Sequence, residues 1–253
     1  IGAAYMMAVL SDDTLKHGPL EALFTVDEEV GMVGANGLQP GFSKGDILIN
    51  LDSEDEGLLF AGCAGGLDVN VKLEYKDQEP TPEGDIAVRI SLTGLRGGHS
   101  GMDIILGRAN ANKQLVRFLK EAIASYGARL VHLEGGSARN AIPREAFALV
   151  TIPEAEADGL WEFASDFLDT LQTEYKNIED GISLSLERTD LPKTVIPEEI
   201  QDGVIGALDA CINGVQSMLT DFPGIVESST NMAKIFVGDG TFTATFMLRS
   251  SSE

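Results

Sequence analysis

Two stretches with apolar residues at helical spacing, each flanked by short alternating runs, constrain this chain more than any other feature. Between Gly107 and Tyr126, Leu115, Phe118, Leu119, Ala122 and Ile123 line one face of a helix; between Ala155 and Tyr175, Leu160, Phe163, Phe167, Leu168 and Leu171 do the same. Ile86 to Leu95 alternates ahead of the first helix, with Val88, Ile90 and Leu92 on one face. Arg129 to Leu133 and Ala146 to Ile152 read as strands between the helices, and Ile182 to Leu186 as a strand after the second. Strand, helix, two strands, helix, strand is the order of a ferredoxin-like split βαβ layout.

The same domain extends both ways. Leu67 to Tyr75 alternates and is joined to Ile86–Leu95 by a polar turn with Pro80 and Pro82, which predicts a hairpin-like pair. A further helix is expected near Pro197 to Ile212, then strands near Gly224–Val237 and Thr241–Leu248 around the hairpin signal Gly238-Asp-Gly240. Residues 65–253 therefore read as an α+β domain.

Residues 1–64 have a different texture. A small-residue helix over 2–10 leads to two apolar runs bounded by Gly and Pro, Leu23–Val26 and Ile47–Leu51, which read as buried strands of a mainly parallel sheet. Gly31, Gly34 and Gly37 punctuate a short helical turn between them. Each strand ends in carboxylates: Asp27, Glu28 and Glu29 after the first, Asp52 after the second. In open α/β sheets ligands sit outside the carboxyl ends of the strands, so two acid-tipped strands suggest a metal or acid/base site. The competing reading is that acids follow strands because loops are polar. If the site is real, one glutamate must stay ionised as a ligand while its neighbour is tuned by burial to act as a base.

Composition narrows the partners. With 18 basic against 40 acidic residues the formal charge is −22, which argues against a nucleic-acid backbone or an anionic membrane surface. The two cysteines, Cys63 and Cys211, are far apart and lack metal-type spacing, so a reducing, cytoplasmic setting is expected. No apolar run is long enough for a membrane span, and no signal peptide is visible. The chain opens on helix interior and stops just after a strand, so a fragment is expected. P-loop, G-x-S-x-G, H-E-x-x-H and dinucleotide-binding patterns are all absent.

Two further segments carry chemistry-bearing residues. Leu95-Arg-Gly-Gly-His-Ser-Gly-Met-Asp103 surrounds His99 with glycines at the end of a strand, which allows close backbone approach or simply makes a turn with a capping histidine. Gly135-Gly-Ser-Ala-Arg-Asn-Ala-Ile-Pro143 sets Arg139 and Asn140 in a loop suited to hold polar ends of a ligand, an ordinary turn being the alternative. His132, inside a strand, reads as structural, and His17, before Gly-Pro, as solvated.

Taken in order, Thr25-Val-Asp-Glu-Glu-Val-Gly-Met32, Ile49-Asn-Leu-Asp-Ser-Glu54, Gly62-Cys-Ala-Gly-Gly66, Gly97-Gly-His-Ser-Gly101 and Arg139-Asn-Ala-Ile-Pro-Arg-Glu145 resemble the aminoacyl-histidine dipeptidases. These are the Xaa-His, or carnosine-cleaving, branch of the co-catalytic zinc peptidases. The likeness runs from Ile1 to about Leu186 and weakens beyond it. It implies part of an α/β catalytic domain of the phosphorylase/hydrolase-like zinc exopeptidase type over 1–64, and a ferredoxin-like lid domain over 65–253 that caps substrate and dimerises. It also implies two zinc ions, a dipeptide substrate and a homodimer. By position Glu28 would be the general base, Glu29 a ligand of one zinc and Asp52 of the other. His99 would stabilise the oxyanion, Asn140 orient the substrate, and Arg249 grip its carboxylate. A metal pair of that kind polarises a carbonyl and acidifies bound water.

The departures are equally informative. The family's early His-x-Asp motif, bridging aspartate and late histidine are not in these 253 residues. The chain by itself is therefore expected to be unable to assemble a dinuclear site; dipeptide turnover by this chain with added zinc would overturn that. Two other readings stay open: a lid and dimerisation module without catalysis, and a related exopeptidase or deacylase.

Overall fold

The computed structural model describes residues 1–28, 31–53, 57–60, 62–76 and 78–252. They form two units, Ile1–Gly62 and Cys63–Glu253. No helix among the described residues is long and apolar enough to cross a membrane.

The first unit contains helix α1 (Gly2–Ser11) and the single turn α2 (Val33–Asn36). Gly34 donates its N–H to the Val26 carbonyl at 2.9 Å, and a Cβ at Gly34 would stand 2.5 Å from the Val26 nitrogen, so this close approach needs glycine. Glu21 ties two loops together by accepting from the Lys44 N–H at 3.0 Å and the Ser43 hydroxyl at 2.7 Å. Those bonds, the Lys44 amide first, hold its carboxyl below the ordinary range. The two parallel strands expected here are absent: neither Leu23–Val26 nor Ile47–Leu51 pairs as a strand, and Ile47 and Leu48 are each 83% exposed. A buried parallel strand needs neighbours on both edges and helices on both faces. The described residues of this unit supply neither.

In the second unit β1 (Gly65–Glu74), β2 (Glu79–Pro80), β3 (Asp85–Thr93) and β4 (Gly98–His99) lead to α3 (Ala111–Tyr126). Then come β5 (Arg129–Gly135), β6 (Ala141–Ile142), β7 (Ala146–Pro153), α4 (Ala157–Glu174), β8 (Ser183–Thr189) and β9 (Thr194–Val195). Helix α5 (Glu198–Ala210) and strands β10 (Gly214–Met218), β11 (Val226–Gly238) and β12 (Thr241–Ser250) complete it. The main sheet runs β1-β12-β11-β5-β7-β3-β8, with β10 also on β11, and every pairing is antiparallel. Its segment β5-β7-β3-β8 is the ferredoxin-like arrangement, in which each βαβ step crosses over one intervening strand.

The core lies where this sheet meets α3 and α4. Val88, Ile90, Leu92 and Val150 are wholly buried, as are Leu115, Phe118 and Leu119 of α3. Phe118 stacks on Phe163 at 4.9 Å and meets Phe167 edge-on at 5.4 Å. Helix α3 starts at Ala111 rather than at Gly107 for two local reasons. Gly107 has φ 65°, and the Asn110 side chain caps the helix by accepting from the Lys113 N–H at 3.2 Å. At its far end Gly127, also at φ 65°, terminates it. The Lys113 ammonium in turn donates to the Leu208, Asp209 and Cys211 carbonyls at 2.8–2.9 Å, satisfying the open end of α5. Burial pushes its pKa down, partly offset by Asp209.

One pairing differs from the reading of the sequence. β1 is not a hairpin partner of β3; it pairs with β12 along its whole length, Gly65 opposite Ser250 and Glu74 opposite Thr241. Alternation identifies the faces of a strand but not its neighbour. The β11–β12 hairpin is as expected: Asp239 (φ 48°) and Gly240 (φ 75°) make the two positive-φ positions of a type I′ turn.

Candidate functional site

Three of the six residues singled out in the sequence, His99, Asn140 and Arg249, come together in the second unit. The 94–110 connection leaves the end of β3, and its residues Gly98-His99 pair as β4 with Ala141-Ile142 of β6. Ser100 N–H donates to the Asn140 carbonyl at 2.8 Å. Gly97 and Gly98 have φ 61° and 141°, and a Cβ at Gly97 would lie 2.7 Å from the Ile142 carbonyl. Glycine is required at both positions for β4 to reach β6.

His99 is half-buried and held on several sides. Its own N–H donates to Asp103 Oδ2 at 2.8 Å, and Asp103 pairs with Arg108 at 3.4 Å. Arg108 also donates to the Gly97 carbonyl at 2.5 Å. The ring Nδ1 accepts from the Met102 N–H at 3.1 Å and the Gly101 N–H at 3.3 Å. A nitrogen that accepts from backbone amides carries no proton, so the neutral ring bears its hydrogen on Nε2 and offers it as a donor. Burial, and next the positive charge of Arg249, push the His99 pKa below its ordinary 6.5, while Asp103 opposes. The ring is thus uncharged at neutral pH. Its contribution to stability is complete above 6.5 and is lost as the pH falls toward the lowered folded value.

Arg249 lies on β12 opposite Gly66 of β1 and Ser229 of β11. Its guanidinium passes so close to Gly101 that a Cβ there would be 2.9 Å from Nε and 3.0 Å from Cζ. Burial and the neighbouring Arg139 push its pKa down, with Asp68 and Cys63 opposing. Guanidinium stays protonated regardless. Its Nε and the Ser100 hydroxyl are buried without a hydrogen-bond partner among the described residues. Arg139 is anchored to Asp68 at 2.9 Å. The arrangement offers a fixed neutral donor beside a guanidinium that retains unused donor capacity, which suits an anionic, carbonyl-bearing ligand.

Glu28 and Asp52 belong to no such cluster among the described residues. Glu28 and Asp52 are exposed in the first unit, where Asp52 N–H donates only to its neighbour Asn50. Glu29 lies outside the described residues. Among the described residues no group of three or more His, Cys, Asp or Glu side chains could hold a metal ion, so the described residues alone assemble no zinc centre. Asp103 and Arg108 were missed by reading the sequence; the one available signal was an acid four residues after a glycine-flanked histidine.

Residues 90–179 match the family described as Peptidase dimerisation domain. Over 250 residues, 99% of its length, the chain is 40% identical to the cytosol non-specific dipeptidase of Escherichia coli (strain K12), covering 51% of that protein. It also superposes on the aminoacylhistidine dipeptidase of Vibrio alginolyticus with a TM-score of 0.83 and 43% identity, over 98% of this chain and 50% of that one. The resemblance to the aminoacyl-histidine dipeptidases is therefore shown, and the chain spans about half the length of the relatives it matches.

Proposed function

We propose that the whole protein is a cytoplasmic, metal-dependent dipeptidase that hydrolyses Xaa-His and related dipeptides as a homodimer. The observation that carries this is the pairing of a neutral, Nε2-protonated His99 with the partly buried Arg249 around Gly101. A dipeptide presents a scissile carbonyl and, one residue on, a free carboxylate. His99 donates to the first as it gains negative charge, and Arg249 binds the second. Asn140, whose backbone anchors Ser100, orients the chain between them. On this reading residues 65–253 are the lid, and the 90–179 match to a dimerisation domain supports the homodimer. Glu28 as base, with Glu29 and Asp52 as ligands of the two zinc ions, are roles proposed from the resemblance alone.

The test uses the complete protein and two substrates, an Xaa-His dipeptide and its C-terminal amide. Arg249→Ala is expected to lower kcat/KM on the free dipeptide by about 10²–10³-fold, the scale of a lost charge-assisted contact. Activity on the amide should change little. Equal losses on both substrates would remove Arg249 as the carboxylate-binding group, and no hydrolysis by the parent enzyme would overturn the reading as a whole.

A further inference from the structure

We infer that Glu179, on the α4–β8 connection and outside the His99 cluster, is a positioning residue that staples both ends of the His99 loop. The residue is only 7% exposed, and its two carboxylate oxygens are used separately. Oε2 accepts from the Arg96 N–H at 2.8 Å and Oε1 from the Ala109 N–H at 3.0 Å. Those amides bracket the segment that carries His99, so one side chain closes the loop at its base. A carboxylate suits this task because both its oxygens accept.

Neighbouring contacts reinforce the staple. Asp180 holds the Arg96 guanidinium at 3.0 Å, and Glu179 N–H is itself fixed on the Tyr175 carbonyl at 3.0 Å, at the end of α4. Within the loop only local bonds set the ring: Asp103 on the His99 amide, and the Gly101 and Met102 amides on Nδ1. They orient His99 relative to its own loop. Alongside the β4–β6 pairing at the loop's middle, Glu179 fixes its two ends relative to the sheet, and so relative to Arg249 on β12. This inference rests on the dipeptidase reading only in giving the loop a substrate to serve.

The experiment is an NMR titration of the 253-residue chain labelled in its three histidines, comparing the parent with Glu179→Gln. A glutamine keeps the shape but has one acceptor, so one of the two amides loses its partner. The charged groups facing His99, Arg249 and Asp103, are unchanged in the variant. The expected result is that the His99 midpoint rises by about half a pH unit or more as water enters the loosened loop, with a smaller share of the Nε2–H tautomer. Signals of His17 and His132 should stay in place, and Glu174→Gln, at the end of α4, should move none of them. A Glu179→Gln chain that melts earlier but titrates at His99 as the parent does would overturn the inference. If Glu179→Gln does not fold, Glu179→Asp, whose shorter arm reaches one amide, is read the same way. The readout needs no turnover: failure of the staple leaves the titration unmoved, whereas failure of the dipeptidase reading leaves the shift intact and appears only as absent hydrolysis.

Discussion

Phe118→Ala is expected to destabilise the second unit by about 4 kcal/mol, within the range for truncating a fully buried phenylalanine. The side chain is wholly buried on α3 and touches two aromatic rings of α4, Phe163 face-on and Phe167 edge-on. Removing it deletes the apolar area it hides and both ring contacts, and it leaves a void between the two helices that carry the ferredoxin-like layer. Arg117, over Phe167 at 5.4 Å and paired with Glu174 at 2.8 Å, bridges the same helices from the solvent side. Exposed pairs of this sort contribute under about 1 kcal/mol and cannot substitute for the core. Trp161, the only tryptophan, sits on α4, so its fluorescence reports this unit directly. Urea midpoints should fall steeply for Phe118→Ala with the slope unchanged. Phe222→Ala, at a position 61% exposed, should move the midpoint by less than about 0.5 kcal/mol. Comparable shifts for the two would mean that the α3–α4 contact is not where the stability lies.

How much of this was legible beforehand differs by element. The two helices and the strands between them were readable because local spacing and burial agree: the positions Leu115, Phe118 and Leu119 that repeat at helical spacing are the ones that are buried. The partner of β1 was not, since the strand that receives it, β12, lies at the other end of the unit and no local pattern encodes it. The apolar runs of the first unit were read as strands because they demand cover. A run of apolar residues states that demand without stating that cover is supplied, and Ile47 and Leu48, each 83% exposed, show it is not met. His99 stands out in the sequence by its flanking glycines and Arg249 enters only through the motif resemblance, whereas nothing in the sequence singles out Asp103 or Glu179. An acid in a loop is ordinary surface until the fold brings two backbone amides to it, as it does for Glu179.

Gly94→Ala should cost about 3–5 kcal/mol, far more than its backbone angle alone would suggest. Gly94 has φ 80°, and a non-glycine residue there pays roughly 1–2 kcal/mol in conformation. The larger part is steric. A Cβ on Gly94 would overlap the carbonyl oxygen of Gly181, and one on Gly181 would lie 2.7 Å from the carbonyl oxygen of Gly94. Two glycines thus meet backbone to backbone, with no flexible side chain between them to yield. Gly84 provides the comparison, with φ 85° and nothing within 4 Å of its would-be Cβ. Gly84→Ala therefore isolates the conformational cost, about 1 kcal/mol, and the difference between the two variants measures the contact. The difference also has a functional address. Gly181 follows Glu179 and Asp180, and Gly94 precedes Arg96, so separating the glycines draws the staple away from the loop it holds. Gly94→Ala should accordingly disturb the His99 resonance as well as the urea midpoint, while Gly84→Ala, at the other end of β3, should shift the midpoint alone. Equal losses for both alanines would show that the Gly94–Gly181 contact can open without strain, and that the sheet end and the His99 loop are not mechanically joined.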